Sequence, residues 1–172
     1  MNRMSKAVKI LCRVLECFNW IAAAFSLLGL IAVLTGLQLP LLDAFGVTLN
    51  GTTLSLNPAQ NHLLPGTQAV VFIGGVLISL ARAVMFHSVA GVLCFARDEG
   101  APFHARTVQL LRRTGALAIA QPLLGLAVGL ITANHLRTEL DFSSLVIGLM
   151  VLCLAQFFAR GAALQQDVDG ML

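Results

Sequence analysis

The stretch Arg97-Asp-Glu-Gly-Ala-Pro-Phe-His-Ala-Arg-Thr-Val-Gln-Leu-Leu-Arg-Arg-Thr-Gly115 is the only long charged segment between two strongly apolar halves of this chain. A run of that kind is expected where a membrane protein turns through water between two spans, so residues 97–113 read as a cytoplasmic elbow. The chain's 172 residues leave room for one domain. Hydrophobic residues make up 58% of it and charged residues 11%, with a mean hydropathy of +0.86, whereas soluble domains are roughly a quarter charged. A chain of this size cannot fold so much apolar surface into its own core. The remainder must face lipid. The expected fold class is therefore an all-α membrane protein with four transmembrane helices. An N-terminal amphipathic extension precedes the first, and a small extracytoplasmic β-hairpin joins the first to the second.

Outward from the elbow, the spans fall at about residues 19–37, 67–90, 114–134 and 143–163, within one domain covering 1–172. Residues 1–18 set Arg3, Lys6, Lys9 and Arg13 at helical spacing with Met4, Val8, Leu11, Leu15 and Phe18 on another side, the pattern of an interfacial helix. No small-x-small cleavage site follows the first apolar run, where Gln38, Leu39 and Pro40 stand, so it reads as an uncleaved span. The outside loop, 38–66, contains Phe45 to Leu56 around Asn50-Gly51, a two-residue turn signal for a hairpin. Pairing across that turn sets Leu49 opposite Thr52, Val47 opposite Leu54 and Phe45 opposite Leu56, giving a lid with one apolar face. The second apolar run, 67–96, is roughly 45 Å long as a helix, more than the hydrocarbon core, so its end emerges with Arg97 in water. In the third span Pro122 is expected to bend the helix, and Gly125-x-x-x-Gly129 permits close helix approach. Asp141 or Ser143 caps the fourth, and residues 164–172 form a cytoplasmic tail.

The basic residues decide the orientation. Arg3, Lys6, Lys9, Arg13, Arg97, Arg106, Arg112, Arg113 and Arg160 fall on one side of these spans, Arg137 on the other and Arg82 inside one. That places both termini and the elbow in the cytoplasm. The net charge of +3 does not indicate nucleic acid, because the cations sit at the ends of apolar runs and form no domain-sized basic surface. Cys12, Cys17, Cys94 and Cys153 form no Cys-x-x-Cys pair and read as reduced structural thiols.

Counting along the spans brings Arg82, Gln121 and Gln156 to one level in the inner third of the bilayer. An arginine there must pair, meet water or snorkel. Two readings follow: the glutamines hold helices together while Arg82 snorkels, or the three line a polar pocket for an anionic head group or small solute. No acid-base pair, nucleophile elbow or metal-ligand spacing appears, so the chain is expected to be neither an enzyme nor a holder of a metal or cofactor.

Gly100-Ala-Pro102-Phe103, Leu111-Arg112-Arg113-Thr114-Gly115, Asp141-Phe-Ser-Ser-Leu145 and Phe158-Ala-Arg-Gly161-Ala-Ala-Leu164-Gln-Gln-Asp167-Val-Asp169 together resemble the domain of unknown function 2975 family of bacterial four-helix membrane proteins. The resemblance runs from the second helix through the tail and leaves residues 38–66 unmatched. The chain departs from it at Asp169-Gly-Met-Leu172, where such families close with Asp-x-Thr and an aliphatic residue. It implies four transmembrane helices, no established activity and, for some members, partnership with small helix-turn-helix regulators.

The expected function is thus an interaction or regulatory module that anchors or senses for a cytoplasmic partner, docked by Pro102, Phe103, Arg112 and Arg113. The alternative for those residues is that Pro102 and Phe103 turn and anchor the chain while the arginines hold lipid phosphates. The alternative functions are a small-solute or ion transporter or channel built as a homo-oligomer, and a structural subunit of a larger membrane complex.

Overall fold

The computed structural model describes residues 3–36, 46–49, 52–56, 61, 63–98, 105–132 and 142–169. Four long helices carry the fold: α1 Arg3–Thr35, α2 Pro65–Asp98, α3 Ala105–Ile131 and α4 Phe142–Asp169. No proline and a single glycine, Gly29, interrupt the α1 sequence, so the amphipathic start and the apolar run form one helix without a joint at residue 18. The helix stops at Gly36, whose φ of 64° is the left-handed conformation that glycine adopts without strain. Pro65 opens α2 at a position where a missing N–H is harmless. Gln68 reinforces that turn: its backbone N–H donates to the Leu64 carbonyl at 3.0 Å and its Nε2 to the Leu63 carbonyl at 2.7 Å.

The elbow is shorter than the charge run suggests. α2 continues to Asp98 and α3 begins at Ala105, so residues 105–113 are helical. The reason lies in the period: Thr107, Val108, Thr114 and Ala118 are buried while Arg106, Gln109, Arg112 and Arg113 are exposed, one apolar stripe at helical spacing with no breaker inside it. α3 then continues through Pro122.

Segments Ala7–Thr35, Pro65–Val92, Arg106–Ile131 and Phe142–Leu164 are long and apolar enough to cross a membrane. At 1.5 Å per residue they measure roughly 35–44 Å, against a hydrocarbon core of about 30 Å. Four buried hydroxyls in or at the ends of these helices are satisfied locally, while Thr107 Oγ1 is buried with no hydrogen bond and Gln68, which bonds through Nε2, leaves Oε1 buried with none. Ser26, Ser88, Thr114 and Thr132 are buried, and each hydroxyl donates to the carbonyl four residues back, at 2.7–2.9 Å. That arrangement suits an apolar environment because it needs no water.

Between α1 and α2, β1 (Gly46–Leu49) and β2 (Thr52–Ser55) pair antiparallel with Val47 opposite Leu54 and Leu49 opposite Thr52. With four residues in each strand, this ribbon leaves the fold all-helical in character. The hairpin expected as a lid from Phe45 to Leu56 is not the element found. The described ladder runs from Leu49 opposite Thr52 to Gly46 opposite Ser55, and Asn61 binds both backbone groups of Ser55: Oδ1 accepts from the N–H and Nδ2 donates to the carbonyl, each at 2.9 Å. Leu56 then turns inward and is 1% exposed. Phe45 and the cap residue Asp141 lie outside the described residues.

The chain packs as two compact units, Met1–Glu16 with Arg82–Ala120 and Phe142–Leu172, and Cys17–Ala81 with Gln121–Asp141. The second has a core of large side chains, Leu56, Val71, Phe72, Ile78 and Val128, ringed by Phe25, Leu30, Val33, Leu63, Val70 and Leu124. Gly29 seats Phe72 and Leu56, and a Cβ on Gly74 would stand 2.6 Å from Val128. The first unit packs small residues instead: Ala83, Ser88, Ala90, Thr114, Ala118 and Ala155 are buried. In it α3 and α4 touch through glycine, since a Cβ on Gly148 would lie 2.7 Å from Ile119 Cγ1 and one on Gly115 2.8 Å from Leu152. Gly125 and Gly129 are buried in α3.

Gly148→Val should therefore lower stability by about 1–3 kcal/mol, as overpacking does, visible as a lower melting temperature in detergent micelles. Gly66→Ala, where nothing stands within 4 Å, should leave it unchanged or slightly raised.

Candidate functional site

Glu16 is the only carboxylate among the described side chains, and it lies within an apolar helix. Its side chain is 13% exposed and joins α1 to α2: Oε1 lies 3.0 Å from His87 Nδ1 and Oε2 2.9 Å from Arg13 Nη1. Arg13 is one helical turn back, where an i, i+3 pair can meet. The Arg13 contact is an ion pair, whereas the His87 contact becomes one only when the imidazole is protonated. A single carboxylate thus clasps two helices and neutralises a neighbouring guanidinium.

The helix contacts of this unit set the depth of the clasp. α3 and α4 run antiparallel, with Gly115 against Leu152 and Ile119 against Gly148, and Gly91 of α2 meets Leu110 of α3. Counting from these contacts, His87 and Glu16 lie level with Thr114, beside Arg112 and Arg113, and with Cys153 on α4. Gln156 lies level with Leu111, and Arg160 with Thr107, beside Arg106. The polar side chains of this unit from Arg106 to Thr114 therefore occupy a belt roughly 12 Å deep. Within it Arg106, Arg112, Arg113, Gln156 and Arg160 are all exposed.

Arg82 does not share the level of Gln156. The same count puts Arg82 opposite Ile119 and Gly148, eight residues and roughly 12 Å along the axis from Gln156. The sequence count assumed that the outer ends of all spans are flush. In this unit α4 is instead shifted along α3. Gln121 belongs to the other compact unit, half-buried just before Pro122. Gln156 lines a 140 Å³ cavity on α4 with Cys153, Phe157 and Arg160, and Arg82 is not part of that lining. Arg112 and Arg113 are exposed on α3, while Pro102 and Phe103 lie outside the described residues.

Sequence reasoning missed Glu16 as a site residue. The available signal was a lone acid inside an apolar run three residues after an arginine, and such a residue in a membrane helix is a functional candidate by default. Its histidine partner, 71 residues away, carried no local signal. Among the described residues no group of three or more His, Cys, Asp or Glu could hold a metal ion.

No protein-family model matches the chain, and no curated protein or solved structure matches it. What the fold defines is a class: a chain of four helices of membrane-crossing length and apolarity.

The clasp is testable by a double-mutant cycle on thermal stability with Glu16→Gln and His87→Ala. The exposed half of the pair limits the coupling to about 0.5 kcal/mol. Glu16→Ala should cost more than His87→Ala, since it also frees Arg13.

Proposed function

We propose that this chain is a four-span protein of the bacterial inner membrane, with both termini cytoplasmic, that acts as an interaction or regulatory module for a soluble partner. The observation that carries the reading is the belt. Exposed Arg106, Arg112, Arg113 and Arg160 gather within roughly 12 Å along one unit, at the start of α3 and near the end of the Phe142–Leu164 segment. Cations gathered at one end of membrane helices belong on the cytoplasmic side. A cationic face there attracts acidic surfaces of soluble proteins and speeds their encounter.

The resemblance to the domain of unknown function 2975 family adds a kind of partner, a small helix-turn-helix regulator held at the membrane. Pro102 and Phe103 complete the docking segment in this reading, as the apolar anchor between α2 and α3. The module needs no chemistry of its own, because control comes from holding or releasing the partner.

A photoreactive amino acid placed at position 103 in living cells should give an adduct with one defined soluble protein. The double variant Arg112→Glu, Arg113→Glu should abolish that adduct while the protein stays in the membrane fraction. Adducts with lipid alone would refute the reading. Adducts only between copies of the chain would favour an oligomeric transporter or channel, and adducts only with other membrane proteins a structural subunit.

A further inference from the structure

We infer that the groove on α4 lined by Cys153, Gln156, Phe157 and Arg160 binds the phosphate and glycerol region of an anionic phospholipid. The inference rests on α4 crossing the membrane and is independent of partner docking. α4 is the least covered of the four candidate spans: 11% of its apolar window is buried, against 22–39% for the other three. Its outward surface is mostly what acyl chains accept, with Val146, Ile147, Leu149, Met150, Leu154 and Phe157 all exposed. Two residues break that pattern. Gln156 and Arg160 are exposed on the same surface, one turn apart, and both line the 140 Å³ cavity.

The order of the lining residues along the helix matches the order of chemistry along a lipid. Arg160 stands four residues, roughly 6 Å, from the end of the Phe142–Leu164 segment, at headgroup depth. A guanidinium offers a planar fork of donors that suits a phosphate. Gln156 lies one turn deeper, where its amide can donate to a glycerol ester carbonyl. Cys153 lies about a turn deeper still, toward the acyl chains, and Phe157 adds an apolar ring beside Gln156. No acid lies within four residues of Arg160 in either direction, so this helix supplies no carboxylate one turn away to neutralise it.

Charge also selects between occupants. A second copy packed across a parallel two-fold axis would bring Arg160 against its own equivalent, and like charges facing each other are unfavourable. A phosphodiester complements the arginine. A net anionic lipid is preferred over a zwitterionic one because Arg106, on α3 at the same depth, adds to the positive field and no headgroup amine need be accommodated.

The test uses the full chain in detergent, with phosphatidylglycerol and phosphatidylcholine as probes and lipid retention read by native mass spectrometry. Wild type should retain phosphatidylglycerol in preference to phosphatidylcholine. Arg160→Ala should weaken phosphatidylglycerol retention about fivefold, the effect of one arginine near an anionic surface, without changing the melting temperature. Gln156→Leu should weaken both lipids, and Arg160→Lys should recover part of the preference. Retention unchanged in Arg160→Ala and Gln156→Leu would overturn the proposal while leaving the membrane reading intact. So would an oxidative Cys153–Cys153 crosslink between copies in phosphatidylglycerol membranes, which would give the groove to a second chain. A chain that stayed out of the membrane fraction would overturn both readings.

Discussion

Every peptide group in a segment that crosses lipid must find its hydrogen bond inside that segment, and this constraint shapes the chain throughout. It explains the helices of 27–34 residues, far longer than soluble helices of about a dozen. It also explains why buried serines and threonines bond to the carbonyl four residues back. With these hydroxyls settled locally, the helices make few polar demands on one another. They associate through shape.

That association takes two forms. In one unit, bulky side chains fill space, with Phe72 and Leu56 seated over Gly29. In the other, alanine, serine, threonine and glycine let backbones approach, and α3 meets α4 at Gly115 and Gly148. The difference has consequences for function. Close backbone packing leaves long polar side chains with no interior to occupy, so Arg112, Arg113, Gln156 and Arg160 are displayed outward. Glu16 is the exception, drawn between α1 and α2 and held by Arg13 and His87.

The exposed cations and amides thereby collect along one stretch of this unit. The partner module and the lipid groove proposed here use different elements of that belt. Arg112 and Arg113 project from α3, whereas Cys153, Gln156, Phe157 and Arg160 line α4. Lipid could hold the helix ends at a fixed depth while α3 remains open to a soluble protein.

Composition and period alone determined four long apolar helices, because apolar length and the absence of breakers act within each segment. The pairing of Val47 with Leu54 is equally local, since the partners lie close in sequence. Tertiary structure decided the rest. Asn61 reaches back six residues to hold both backbone groups of Ser55. The elbow loses its second half to α3 because burial of Val108 rewards a helix there. The single layer of Arg82 and Gln156 fails because helix depth is set by which glycines touch, and no periodicity within one segment encodes the offset between two. Glu16 and His87 meet for the same reason: a side-chain contact across 71 residues exists only once two helices have chosen their register.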